Sequence, residues 1–368
     1  MTTSLANAST ARHNNFNLLR FIAASLVLFD HSFPLALGKS QIEPLQEALG
    51  ISLGTMAVDL FFISSGLLIT SSLYTRNDLL GYIRARALRI YPALLISLLI
   101  TVFLIGPFFT SLSSWQYLTS PEIYSFLLKN SILFTGADYH LPGVFTDNPY
   151  PSIINGSLWT LPYEVVMYTL LVLFSYCLPV WLKAVPIITI KVAYLLIALG
   201  SMAAFLVQHF TGLLPIPEHA LQLFTMFFSG AACYFWRDQL KLSTKWFAIA
   251  LLLMTAATAN KSIFFITYSI FWFYIVLYLA YIPSGHIREF NRLGDYSYGI
   301  YIYAWPIQQS IAALTDRISV FQMIILSFGI SLTFAIASWH IVEKPSLRMR
   351  YKKKNGTPVI KDTLKSQQ

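Results

Sequence analysis

The chain has 368 residues, of which 56% are hydrophobic and only 11% are charged. Soluble domains carry about 25% charged residues, so this composition excludes an ordinary soluble protein and predicts a polytopic membrane protein. The formal net charge of +9 does not indicate nucleic-acid binding, because the basic residues flank apolar segments and do not form the basic soluble face that such binding needs.

Apolar runs near the length that crosses a bilayer as a helix, roughly 17 to 25 residues, recur along the whole chain. We therefore predict an all-α, polytopic integral membrane bundle of about ten transmembrane helices. The two shortest runs, at 220–236 and 246–260, are also compatible with buried or tilted helices. The runs fall near residues 19–37, 54–74, 90–110, 157–178, 190–209, 220–236, 246–260, 262–282, 296–315 and 320–342.

The distribution of Lys and Arg predicts the orientation of this bundle. An even number of spans with both termini in the cytoplasm satisfies the positive-inside rule. We expect residues 1–17 to form a cytoplasmic segment, 18–346 the membrane domain, and 347–368 a basic, disordered cytoplasmic tail. With this orientation, the basic residues left outside are Lys39, Lys129, Lys261 and Arg317.

In the first span, the ionisable residues Arg20 and His31 lie eleven residues apart, and Asp30 precedes His31. That spacing is close to three helical turns, so in a helix both side chains lie on one face, roughly 16 Å apart along the axis. Ionisable groups at membrane depth are costly and are therefore candidates for function. The simpler alternative is that Arg20 extends to the lipid headgroups and His31 lies at the opposite interface.

The predicted loop before the third span contains Arg84, Arg86 and Arg89. Because the planar guanidinium matches phosphate oxygens, three of them within six residues predict an anion site. The alternative is an ordinary positive-inside anchor. Since Arg20 emerges on the same side of the membrane, these arginines are predicted to converge on a ligand with several phosphates.

Besides Asp30 in the first span, two carboxylates lie inside predicted spans. Asp59, near the outer end of the second span, is expected to cap a helix or line a cavity, and Glu164 follows the start of the fourth span. A buried Glu needs a partner or must be protonated. A structural hydrogen bond is as consistent with the sequence at Glu164 as a role in proton transfer.

The longest predicted loop, about residues 111 to 156, faces outward and is rich in aromatic residues and proline. Loops of this length are usually functional or disordered. We predict that this loop forms a lid or a substrate platform at the membrane surface.

Six motifs in chain order resemble those of the acyltransferase-3 family of integral-membrane O-acyltransferases. Together they span about residues 15 to 346. The motifs are Arg20-x10-His31, Val58-Asp59-Leu60-Phe61-Phe62-Ile63-Ser64-Ser65-Gly66, Arg84-x-Arg86 followed by Arg89-Ile90-Tyr91-Pro92, Ser157-Leu158-Trp159-x-Leu161-x-x-Glu164, Leu293-Gly294-Asp295-Tyr296-Ser297-Tyr298-Gly299-Ile300-Tyr301 and Glu343-Lys344-Pro345.

The resemblance implies an enzyme of the bacterial inner membrane that uses cytoplasmic acetyl-CoA to acetylate a sugar hydroxyl of a surface polysaccharide or its lipid-linked precursor. It makes His31 the catalytic histidine, Arg20 its motif partner, and Arg84 and Arg86 part of the donor site. A neutral imidazole can take the proton from the acceptor hydroxyl and return it to the leaving thiolate.

To this implied site we add three groups of residues. Glu164 is predicted to be catalytic and Arg89 to bind the acetyl-CoA donor, and no metal is expected. The carboxylate that orients His31 is left open between Glu164 and Asp59, since Asp30 lies about 100° away around the helix. The residues predicted to bind the acceptor are Asp59, Trp159 and Tyr163.

A second class of function competes with this interpretation. A proton-coupled transporter or glycolipid flippase also uses intramembrane His, Asp and Glu, whereas only a phosphate-rich donor needs the arginines. A non-catalytic scaffold is the third alternative. The expected partners are a lipid-linked or exported glycan and membrane lipids, not nucleic acid. A separate periplasmic protein or a second copy of the chain is left open.

Overall fold

A computed structural model describes residues 2–10, 14–76, 78–181 and 186–349. Its main element is the α-helix, as predicted. The predicted disordered tail lies outside the described residues from position 350 onward.

Sixteen α-helices, labelled α1 to α16, follow one another along the described chain. Short 3-10 turns at Gly156–Trp159 and His286–Arg292, and π-helical turns at Thr101–Ile105 and Trp339–Glu343, interrupt or extend them. In order, the helices are Leu5–Thr10, Phe16–Leu37, Pro44–Leu49, Leu53–Arg76, Leu79–Ile100, Gly106–Phe109, Ser114–Thr119, Pro121–Ile132, Thr160–Trp181, Ile187–Thr211, Glu218–Phe235, Thr244–Ala257, Lys261–Tyr281, Ser297–Leu314, Val320–Ser338 and Lys344–Arg348.

Seven segments of the described chain are long and apolar enough to cross a membrane. The prediction of a polytopic helical membrane protein is confirmed, and the number ten stays a prediction. The runs at 220–236, 246–260 and 296–315 do form helices, namely α11, α12 and α14. The seven segments are Phe16–Leu37, Leu53–Thr75, Leu79–Phe109, Gly156–Tyr176, Ile187–Thr211, Lys261–Tyr281 and Val320–Arg348.

The centre of the bundle is built on α4, which packs against α2 and α11, while α14 packs against α2 and α15. Two glycines permit the crossing of α4 and α11. A Cβ at Gly66 would collide with the carbonyl oxygen of Phe227, and a Cβ at Gly230 with that of Ile63. Small residues at helix crossings let backbones approach closely in membrane proteins.

A short antiparallel sheet departs from the all-α prediction. Strand β1, Thr2–Ser4, pairs with strand β2, Lys241–Ser243, which lies between α11 and α12. Leu5, which follows β1, is buried. The residues from Thr2 to Leu5 are thus folded onto the bundle. The two strands could not be predicted from the sequence, because each has only three residues and neither alternates in polarity.

The long loop predicted at 111–156 is an ordered structure fixed to α14. It contains α7 and α8, and its second half is tethered through side chains. Asn148 donates to the main-chain and side-chain oxygens of Gln309, Asn155 donates to the carbonyl of Ile302, and Trp305 donates to the carbonyl of Ile153. The structure therefore favours a fixed platform over a lid.

Candidate active site

A cavity of about 510 Å³ opens among α2, α4, α5, α9 and α14. One face of α4 forms its longest wall, with a spacing of three and four residues. From the first to the last of these residues the wall extends roughly 21 Å at about 1.5 Å per residue. The residues on this face are Val58, Phe61, Phe62, Ser65, Leu68, Ile69 and Ser72.

Three arginines line one end of the cavity, and we call this the arginine end: Arg20 from α2, and Arg86 and Arg89 from α5. Arg20 and Arg86 each keep a buried Nε atom that has no hydrogen-bond partner among the described residues. No hydrogen bond joins either guanidinium to another described residue, although Nη1 of Arg20 lies 3.9 Å from Oδ2 of Asp295.

Arg89 differs from them because two carboxylates hold it through hydrogen bonds. Its Nη2 donates to Asp295 at 2.6 Å and its Nη1 to Glu343 at 3.4 Å. Burial raises the pKa of the Asp295 carboxyl. The guanidiniums of Arg89 and Arg20 and the hydrogen bonds from Ser297 lower it by more, so the pKa lies below its ordinary value. Asp295 stays ionised and keeps this end of the cavity charged.

Asp295 and Glu343 were missed as site residues. Both lie in motifs of the sequence, Gly294-Asp295 and Glu343-Lys344-Pro345, but nothing in the spacing indicates that both would pair with Arg89. Their separation along the chain hides the contact until α5, α14 and the last helical segment pack together.

Arg84 does not join the other arginines. Its Nη2 donates to the carbonyl oxygen of Met349 at 2.6 Å, and it does not line the cavity. The predicted convergence of four arginines is therefore corrected to Arg20, Arg86 and Arg89.

Glu164 lines the cavity on α9, one turn before Tyr168, whose hydroxyl donates to it. At the far end from the arginines, Thr160 and Tyr301 share a hydrogen bond of 2.6 Å between their hydroxyls. The cavity thus changes from cationic to apolar and hydroxyl-lined along its length.

His31 lies outside the lining of this cavity. Its ring packs edge-on against Trp305, with the ring centroids 4.7 Å apart, and Trp305 follows Tyr301 by one turn of α14. His31 therefore lies beyond the hydroxyl-lined end of the cavity, on the side away from the arginines.

No described carboxylate oxygen lies within 4 Å of a ring nitrogen of His31, so neither Glu164 nor Asp59 orients the ring in this structure, contrary to the expectation. Glu164 accepts from Tyr168 instead. Asp30, the neighbour of His31, accepts from Ser52 at 3.2 Å. The Nδ1 atom of His31 is buried and has no partner among the described residues.

Asp59 is also placed differently from the prediction. It is fully buried, and its carboxylate accepts from Tyr268 at 2.6 Å and from Gln222 at 2.9 and 3.0 Å. Val58 faces the cavity, and the next residue points about 100° away on a helix. Asp59 therefore ties α4 to α11 and α13 and does not line this cavity.

Trp159 and Tyr163 form an aromatic cluster with His219 at the end of the bundle where α9 and α11 begin. The Tyr163 hydroxyl and the His219 Nε2 are 2.9 Å apart. The ring centroid of Trp159 is 6.0 Å from that of Tyr163 and 5.6 Å from that of His219. His219 is exposed and was not predicted to belong to this cluster.

The helices and the cavity together define a polytopic membrane protein with a buried, arginine-lined site. The acyltransferase-3 model, described as an acyltransferase domain, matches residues 13–342. The chain therefore belongs to the acyltransferase-3 family and is an acyltransferase, which confirms the resemblance drawn from its motifs.

Two curated proteins are similar to the chain over nearly its whole length. An O-acetyl transferase of Shigella phage Sf6 is 28% identical over 336 residues, which cover 90% of this chain and 96% of that protein. Nodulation protein 10 of Rhizobium leguminosarum bv. viciae is 27% identical over 367 residues, which cover 93% and 95%. No solved structure matches the chain.

Proposed function

We propose that this acyltransferase moves an acetyl group from cytoplasmic acetyl-CoA to a sugar hydroxyl of a bacterial surface polysaccharide or its lipid-linked precursor. The observation that carries this proposal is the cavity with Arg20, Arg86 and Arg89 at one end and the face of α4 along its length. The name of the phage relative, an O-acetyl transferase, supports the same chemistry.

The donor is proposed to enter at the arginine end. Arg20 and Arg86 bind its phosphates, because guanidinium donors match phosphate oxygens. Arg89, held by Asp295 and Glu343, fixes the charge of the wall next to them. The extended, uncharged arm of the donor then lies along α4, and its thioester reaches the level of Tyr301.

His31 is proposed to be the general base. The acceptor oxygen attacks the thioester carbonyl carbon, the carbon–sulfur bond breaks, and the hydroxyl proton moves to Nε2 of His31. That proton then passes to the leaving thiolate, which restores the neutral ring. Glu164, on the cavity wall, is proposed to support the transfer from the donor side while it accepts a hydrogen bond from Tyr168.

The acceptor is proposed to approach from the opposite end of the bundle. The rings of Trp159 and Tyr163 offer flat faces of the kind that sugar C–H groups pack against, and His219 adds a polar edge. In this proposal, donor and acceptor approach from different sides of a bacterial inner membrane, which the chain crosses about ten times, and both termini and the arginine end lie in the cytoplasm.

Acetyl transfer by the purified protein tests this function. In lipid nanodiscs with labelled acetyl-CoA and an extracted glycan acceptor, we expect the wild type to label the glycan and His31→Ala to lose activity about 10²- to 10⁴-fold, as for general bases elsewhere. His286→Ala is the matched control, because the side chain of His286 is 99% exposed.

Two outcomes would contradict the proposal. Undiminished transfer by folded His31→Ala protein would remove His31 from the chemistry. Glycan movement across the membrane by a wild type that neither transfers nor hydrolyses acetyl-CoA would favour a flippase.

A further inference from the structure

Gln308 lies on α14 one turn beyond Trp305 and is fully buried. Its Nε2 donates to the carbonyl oxygen of Leu28 at 2.9 Å and to Oγ of Ser32 at 2.8 Å. Both partners belong to α2, on the turn that carries His31. Gln308 therefore fixes the segment of α2 on which the proposed base is mounted.

The hydrogen bonds also determine which way the amide of Gln308 points. Ser32 donates its own hydroxyl hydrogen to the carbonyl of Leu28 at 2.8 Å, so its oxygen is left to accept. The carbonyl oxygen of Leu28 can only accept, so the amide atom 2.9 Å from it must be the NH₂ and not the oxygen. The Oε1 atom must point the other way.

Two complementary atoms are left over at this interface. Oε1 of Gln308 is a buried acceptor without a partner among the described residues, and Nδ1 of His31 is likewise buried and unpartnered. Buried polar groups in native proteins nearly always have partners. The ring nitrogen that does not react in a catalytic histidine is usually held by an acceptor that sets the tautomer.

We propose that Gln308 is the positioning residue of His31. No direct hydrogen bond joins the two atoms in the structure, so Oε1 accepts the Nδ1 hydrogen through one bridging water molecule. This keeps Nε2 unprotonated and free to take the acceptor proton. An uncharged amide thus orients the His31 ring, a role that the sequence had led us to expect of a carboxylate. This inference rests on the proposed role of His31.

The tautomer of His31 is the direct test. In protein labelled with ¹⁵N-histidine, the His31 signals are identified by their loss in His31→Ala. We expect wild-type His31 to carry its hydrogen on Nδ1, and Gln308→Met, which keeps the size but removes the amide, to lose that preference. Gln308→Glu keeps an oxygen acceptor and should retain it.

Activity gives the second measurement. We expect Gln308→Met to lower kcat about 10- to 100-fold, the range seen when an orienting partner of a histidine is removed, with KM for the donor unchanged. Ser32→Ala is the matched control at the other end of the amide, because it removes one partner of Nε2 and leaves Oε1 in place. Gln309→Met controls for stability, since Gln309 also forms several hydrogen bonds but with the loop.

Several results would overturn the inference. One is an unchanged His31 tautomer in Gln308→Met. Another is loss of the tautomer in Ser157→Ala instead, because the Oγ of Ser157 is also buried and unpartnered. If His31→Ala keeps full activity, the proposed function fails, whereas the tautomer measurement still decides the contact with Gln308.

Discussion

Arg84 and Arg86 differ in their contacts although only one residue separates them. Two residues correspond to about 200° around a helix, so the two side chains leave opposite faces of α5. Arg86 and Arg89, three residues apart, share the face that lines the cavity. The hydropathy pattern predicts a loop before a span at 90–110, whereas α5 already begins at Leu79. The arginines therefore lie on a helix, and the predicted loop gave no indication that Arg84 and Arg86 face opposite sides.

This difference predicts unequal effects of two conservative substitutions. Arg86→Lys should weaken binding of acetyl-CoA about tenfold, because an ammonium cannot reproduce the paired hydrogen bonds of a guanidinium to phosphate. Arg84→Lys, outside the cavity, should change the affinity less than about twofold. Calorimetry on the purified variants measures both. Equal losses would bring Arg84 back into the donor site, and no loss in either would make the segment a topological anchor only.

Asp59 is a second residue whose contacts cannot be predicted from its type alone. Its position in a span was predicted, but the direction of its side chain depends on where α11 and α13 pack. Tyr268 and Gln222 lie 209 and 163 positions away in the sequence. Contacts of that kind follow from the assembled bundle and not from local pattern.

At the scale of elements, the helices follow from local properties of the chain, and this is why each predicted span corresponds to a helix. Apolar runs must satisfy their backbone groups internally in lipid, and a helix does so. Three of the helices at the ten predicted spans, α11, α12 and α14, fall outside the seven candidate spans, and they are short or carry polar residues. Gln308 and Gln309 on α14 are examples, and both are buried against protein.

The crossing of α4 and α11 gives a prediction about stability. Gly230→Ala should destabilise the protein, lowering the thermal midpoint in detergent by several degrees, because the added methyl group meets the backbone of Ile63 and overpacking costs about 1–3 kcal/mol. Gly200→Ala on α10 is the matched control, because no atom lies within 4 Å of a Cβ there. A midpoint unchanged in both variants would mean that α4 and α11 are not in close contact.

For the whole molecule, the paired strands provide a topological constraint that is independent of charge. Because β1 pairs with β2, the N-terminus and the α11–α12 connection must lie on the same side of the membrane. The positive-inside rule assigned both to the cytoplasm. The distribution of Lys and Arg therefore predicts the membrane side of both segments. The pairing of the two strands could not be predicted from the sequence.

Cysteine labelling tests this orientation. In a background with Cys177→Ala and Cys233→Ala, we expect Lys129→Cys to react with an impermeant thiol reagent in spheroplasts and His286→Cys to react only after permeabilisation. The side chains of Lys129 and His286 are 52% and 99% exposed, so both positions should react once the membrane is opened. The reverse pattern would invert the bundle and exchange the donor and acceptor sides.

The tethered loop has a consequence for the time course of the reaction. In enzymes with mobile lids, opening and closing often limits turnover. Here the segment beside Trp305 is joined to α14 by hydrogen bonds that Asn148 and Asn155 donate to the helix and by one that Gln309 of α14 donates to the segment. We therefore expect that this segment does not close over the site before each turnover, and that the catalytic cycle is paced by bond making and by the exchange of substrates.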